Sequence, residues 1–95
     1  MYTALGAVHG PHSPPYTYMD GTPVKGEHPT PHMDMLLEMD KSVGSLLDAI
    51  DERGLTSNTI IIFTSDNGGV RPANDSTEFG HDSSGPLRGA KGTLC

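Results

Sequence analysis

The sequence predicts an α/β chain built on a strand–helix–strand crossover, followed by a long irregular tail. Three observations carry that reading. The apolar run Thr59-Ile60-Ile61-Ile62-Phe63 is β-branched and short, the pattern of a buried strand. Met33, Leu36, Leu37, Val43, Leu46, Leu47 and Ile50 recur at helical spacing ahead of it. Beyond Asn67 no periodicity returns up to Leu94, in a stretch rich in Gly, Ser, Asp and Asn.

Taken in order, Tyr2–Val8 is mostly apolar and reads as a first strand. From His9 to Pro31 the chain holds six of its eight prolines, which reads as loop. Thr30 is placed to cap a helix and Pro31 suits its first position, so one long helix is expected within Thr30–Arg53. Its Leu36, Val43, Leu47 and Ile50 are expected to pack on the sheet. Asp34, Glu38, Lys41, Asp48 and Glu52 fall mostly off that stripe and are expected to face water. Gly54 follows as a left-handed cap. The second strand is expected at Thr59–Thr64, parallel to the first, with a right-handed connection. Two strands and one helix cannot cover both faces of a parallel sheet, so further layers are expected from sequence outside these 95 residues.

Composition excludes some classes. The chain has six Lys plus Arg against twelve Asp plus Glu, a formal net charge of −6. Nothing there neutralises a run of phosphates, so nucleic acid is not an expected partner. No apolar stretch approaches a membrane span, and Met1-Tyr2-Thr3-Ala4 lacks the start of a signal peptide. The single cysteine, Cys95, is the last residue and allows no internal disulfide. A chain that starts inside an expected strand and stops on a cysteine reads as cut at both ends.

Three clusters can do chemistry. His9-Gly10-Pro11-His12-Ser13-Pro14-Pro15 follows the first expected strand, and its prolines stiffen the loop that carries the imidazoles. A positioned His binds an anion or passes a proton near neutral pH; a surface loop with incidental histidines is the competing reading. Thr64-Ser65-Asp66-Asn67-Gly68-Gly69 leaves the second expected strand, where open α/β sheets bind ligands. Asp66 and Asn67 offer two hard oxygen donors, suited to Ca²⁺ or Mg²⁺ rather than a softer metal. On local sequence alone the plain Asp-Asn-Gly turn leads. The third cluster is Gly85-Pro86-Leu87-Arg88-Gly89-Ala90-Lys91-Gly92-Thr93, in which Lys91 is a compact cation suited to a sulfate or phosphate oxygen. It departs from a nucleotide-binding P-loop, because Ala90 precedes the lysine, Gly92 follows it, and no strand leads in. Together the clusters suggest a site for a tetrahedral oxyanion.

Pro11-His12-Ser13-Pro14, Met39-Asp40-Lys41-Ser42-Val43-Gly44, Asn58 through Gly69, and Gly85 through Thr93 stand in an order that resembles the later part of a type I sulfatase catalytic domain. The resemblance covers nearly the whole chain, residues 1–95 being a partial catalytic domain. It implies an alkaline-phosphatase-like α/β/α sandwich. It also implies that Asp66 and Asn67 ligate the active-site divalent cation, usually calcium, that His12 contacts the sulfate near the leaving oxygen, and that Lys91 holds a sulfate oxygen. His9, His28, His32 and His81 have no counterpart in the pattern; His81 reads as part of a solvated loop, with a place lining the substrate cleft as the competing reading.

The family's Cys/Ser-x-Pro-x-Arg motif, which matures into formylglycine, is absent from this sequence, as are its paired aspartates and its early Lys and His. In the family the formylglycine hydrate attacks sulfur, the alcohol leaves, and the aldehyde is regenerated as sulfate departs. The isolated chain is therefore expected to be inert. The resemblance implies a sulfate ester or sulfated glycan as substrate and a secreted, periplasmic or lysosomal setting. Selectivity among sulfated sugars, steroids and aryl esters is expected from the loops at Tyr16–His28 and Val70–Ser84. A phosphoesterase or phosphonate hydrolase of the same superfamily, and a non-catalytic sulfatase-like module, are the alternatives; Asn67 leans against the two-metal phosphatases, whose sites favour His. Asn74-Asp75-Ser76 has the spacing of a glycosylation acceptor.

Overall fold

The computed structural model describes residues 1–70 and 77–93. Asn74-Asp75-Ser76 and Cys95 lie outside the described residues, as does part of the Val70–Leu94 tail. The chain divides into two compact units, Met1–Ile60 and Ile61–Cys95.

The first unit is organised by one long helix, α1, Pro31–Glu52. Both of its ends follow from local sequence. Thr30 is the N-cap in extended conformation, its Oγ1 accepting from the Met33 N–H at 3.3 Å, with proline in the first turn. At the other end Gly54 takes φ 64, the Gly54 N–H donates to Asp51 O at 2.8 Å, and the Leu55 N–H donates to Ile50 O at 3.1 Å. These two bonds are the paired 5→2 and 6→1 closures of a Schellman motif, which occupy carbonyls the helix would otherwise leave open. A single 3₁₀ turn, Thr56–Asn58, follows.

The loop before α1 folds back on the helix. Its turn is closed by Tyr18 N–H to Thr22 O at 2.8 Å, Gly21 N–H to Tyr18 O at 3.0 Å and Val24 N–H to Tyr16 O at 3.1 Å, with an isolated antiparallel bridge between Thr17 and Pro23. Tyr18 then reaches the helix, its hydroxyl 3.2 Å from Ser45 Oγ and its ring 5.8 Å from Lys41 Nζ. Val24 is fully buried and Met35 nearly so. Burying one such side chain is worth about 1.5–3 kcal/mol.

Asp20 holds the tip of that turn. Its Oδ1 accepts from the Thr22 hydroxyl at 2.6 Å and the Thr22 N–H at 2.9 Å. The Thr22 hydroxyl, then the Thr22 N–H, hold the carboxyl below its ordinary value of 3.8. A depressed folded-state value stabilises the turn above the unfolded value, and that contribution is lost as pH falls through the folded one. Acid titration is therefore expected to release the Thr22 amide resonance only below the ordinary carboxylate range. An Asp20→Asn chain should lose the titration, and an unchanged Thr22 profile would contradict the assignment.

Three expectations are corrected. Neither Tyr2–Val8 nor Thr59–Thr64 forms a strand, so no strand–helix–strand crossover is present among the described residues. The exposures of Ile60, Ile61, Ile62 and Phe63 are 90, 51, 82 and 69 %. A strand is a pairing between segments, and an apolar run acquires one only where edges and covering layers are supplied. Second, the stripe Leu36, Val43, Leu47 and Ile50 packs on no sheet; Leu47 is exposed and the other three are half-buried.

Third, Asp34 does not face water but is buried, because the loop donates to it. Gly26 N–H reaches Oδ2 at 2.6 Å, His28 N–H reaches Oδ1 at 2.9 Å, and His28 Nδ1 lies 3.5 Å from Oδ1. A carboxylate leaves water only when donors replace its hydration.

Among its described residues the second unit holds one 3₁₀ turn, Thr77–Phe79, and otherwise turns and irregular backbone, with no buried side chain. The irregular tail expected from composition is what the described part of it shows. No helix among the described residues is long and apolar enough to cross a membrane.

Candidate functional site

In the second unit two of the sequence clusters meet. Gly68 and Gly69 end the Asp66-Asn67 turn, and both lie against the later loops. A Cβ on Gly69 would collide with Ser83 O, and one on Gly68 would fall 3.0 Å from Ala90 C and 3.2 Å from Lys91 N. At Gly69 only glycine allows that approach to Ser83, and at Gly68 a side chain would be tight against the Ala90–Lys91 backbone. The contact is locked by the Lys91 N–H donating to Gly69 O at 2.8 Å. The glycine pair therefore does more than turn the chain, since it clasps the backbone of Lys91 two residues from Asn67.

The lysine loop has its own fastenings. Thr93 Oγ1 accepts from the Ala90 N–H at 2.8 Å and donates to Ala90 O at 2.7 Å, while the Thr93 N–H donates to Ala90 O at 3.0 Å. Ser84 Oγ donates to Gly89 O at 2.9 Å, and Asp82 Oδ1 accepts from the Ser84 N–H at 3.0 Å. Lys91 itself is exposed. Its side chain projects from a backbone held at both Ala90 and Gly69.

Asp66 and Asn67 are both exposed on their turn. Asn67 Nδ2 donates to Asp66 Oδ1, and Ser65 Oγ donates to Asn67 O at 2.7 Å. The first bond holds the carboxylate and carboxamide side by side and leaves Asn67 Oδ1 and Asp66 Oδ2 as oxygen donors. That donor set fits a hard divalent cation in kind. It does not make a cage, for among the described residues no three His, Cys, Asp or Glu gather where they could hold an ion.

His12 belongs to the first unit. It is half-buried, follows Pro11 and precedes the buried Pro14 by two residues. Its ring centroid lies 4.8 Å from that of His32, with the planes tilted by 53°. Sequence reasoning missed this neighbour, and the signal that could have found it is the position of His32 in the first turn of a helix that the loop must pass. His9 Nδ1 lies 2.7 Å from Gly10 O, and His81 is half-buried with Nε2 3.3 Å from Ser83 Oγ. His81 thus adjoins the serine that Gly69 packs against.

The model of the family described as Sulfatase matches residues 1–93. Arylsulfatase H of Homo sapiens is 42 % identical over 60 residues, covering 62 % of this chain and 10 % of that protein. N-acetylgalactosamine-6-sulfatase of Mus musculus is 35 % identical over 68 residues, covering 72 % of the chain and 12 % of that protein. Arylsulfatase A of Homo sapiens is 50 % identical over 38 residues, covering 40 % and 8 %. The chain thus spans about a tenth of the length of the curated relatives it matches. No solved structure matches it. Family membership implies an alkaline-phosphatase-like α/β fold for the domain to which these residues correspond. With its matched motifs running almost from end to end, the chain belongs to the sulfatase family.

Proposed function

We propose that this chain is part of a sulfuric ester hydrolase, supplying cation and sulfate contacts to its active site. The observation that carries the reading is the clasp between the Asp66–Gly69 turn and Lys91. It joins a hard-oxygen donor pair to a cation through the Lys91 N–H bond to Gly69 O and the close approach of Gly68 to the Ala90–Lys91 backbone. The family match supports the same reading.

In this reading Asp66 and Asn67 hold the divalent cation, calcium or magnesium, through side-chain oxygens. When bound, the ion supplies positive charge to the sulfuryl oxygens. Lys91 holds a further sulfate oxygen with its ammonium group, and His12 contacts the sulfate near the leaving oxygen, where an imidazole can give a proton to the departing alcohol. Fixed cationic groups of this kind stabilise charge as it develops on the oxyanion. None of the chain's residues is assigned as nucleophile. The proposed substrate is a sulfate ester, either a small molecule or a sulfated glycan.

The test compares 4-nitrophenyl sulfate with 4-nitrophenyl phosphate, using the complete protein that carries this segment. Cation-dependent hydrolysis of the sulfate in preference to the phosphate is expected, and the reverse preference would assign the site to phosphoester chemistry. The 95-residue chain alone should hydrolyse neither. In the complete protein Asn67→Ala should weaken calcium affinity by about 10-fold or more, read by calorimetry, since a lost ligand costs at least what a lost supporting contact does. The 95-residue chain alone should bind calcium weakly at best, because two donors make an incomplete shell for an ion that takes 6–8 oxygens, and tight binding in calorimetry would contradict that expectation.

A further inference from the structure

His12 lies in a loop, yet its ring is not left to the loop alone. The prolines around it restrict the backbone but leave the side-chain torsions free. Across from it His32 is 6 % exposed, in the first turn of α1. That turn is held twice over. Thr30 caps it through the Met33 N–H, and the buried Asp34 carboxylate ties it to the Gly26 and His28 amides. His32 is thus a ring on a fixed post, while His12 is a half-buried ring on a flexible stem. Their separation of 4.8 Å and tilt of 53° lie within the range in which aromatic rings attract.

We propose that His32 is a positioning residue, its buried ring holding the His12 imidazole in one rotamer ready for an oxyanion. The proposal rests on the reading of His12 as a sulfate contact. What His32 supplies is a flat, rigid face, so phenylalanine can replace it and alanine cannot. Losing one such ring pair corresponds to about a 2- to 12-fold change in the population of the correct rotamer.

Two measurements separate the proposal from the reading beneath it. NMR on the 95-residue chain, labelled at histidine, should show a ring-to-ring nuclear Overhauser effect between His12 and His32, with His12 side-chain couplings of a single rotamer. In His32→Phe the single rotamer should persist; in His32→Ala the couplings should average while the helical circular dichroism is retained. If His32→Ala fails to fold, His32→Phe decides, a retained rotamer supporting the proposal and a lost one overturning it. In the complete protein His32→Ala should lower kcat for 4-nitrophenyl sulfate about 2- to 12-fold with KM little changed, and His32→Phe should restore most of it. If His12→Ala abolishes turnover while His32→Ala changes neither rotamer nor kcat, the positioning role is overturned. If the rotamer results hold but His12→Ala leaves hydrolysis intact, the contact stands and the sulfate role of His12 fails.

Discussion

Lys91→Ala in the complete protein is expected to lower turnover of a sulfate ester about 10²-fold or more, the scale of losing one oxyanion contact. The substitution is clean because the backbone of Lys91, not its side chain, makes the bond to Gly69 O at 2.8 Å. The loop should therefore keep its shape when the ammonium is removed, and calcium affinity should stay within about twofold. Lys91→Arg should recover only part of the loss, since a planar fork does not replace a compact charge. Asn67→Ala should give the opposite pattern, with affinity for the cation falling first. Should Lys91→Ala leave hydrolysis unchanged, Lys91 is a surface lysine on a glycine loop and the oxyanion site is misassigned.

Asp34→Ala is expected to cost about 2–3 kcal/mol of stability in the first unit, read as a lower urea midpoint of the helical signal. The carboxylate accepts two backbone N–H groups at 2.6 and 2.9 Å, and bonds to charged groups contribute about 1.5–3 kcal/mol each. The sum is discounted because Gly26 and His28 are exposed, so water can reach the amides once the carboxylate is gone. Asp34→Asn keeps an acceptor oxygen without the charge and should cost about 1 kcal/mol. A midpoint unmoved by Asp34→Ala would mean that the loop reaches the helix by other contacts. The same variant should also loosen His32, since Asp34 holds the turn on which that ring stands.

The helix was legible in the sequence because what defines it lies within a few residues. Thr30 and Pro31 start it, and Gly54 ends it with both closures of the C-terminal motif. The donor types were legible for the same reason, since a carboxylate beside a carboxamide and a lysine among glycines carry their donor character wherever they are placed. Asp34 was misjudged because its burial depends on amides at Gly26 and His28 that reach it only after the loop turns at Gly21. The run at Thr59–Thr64 differs in the other direction, forming no strand among the described residues. Its β-branched side chains state a preference for a strand, but the hydrogen bonds that make one belong to a partner segment.

By itself, then, the sequence determined the bounds of α1, the oxygen donors at Asp66 and Asn67, the cation at Lys91 and the family to which these motifs belong. Only the tertiary structure decided that Gly68 and Gly69 clasp Lys91, that Asp34 is a buried tie, and that His32 stands against His12. The physical reason is range. Capping, turn geometry and ligand chemistry are set by neighbours along the chain, whereas burial and close approach require segments distant in sequence to arrive at the same place.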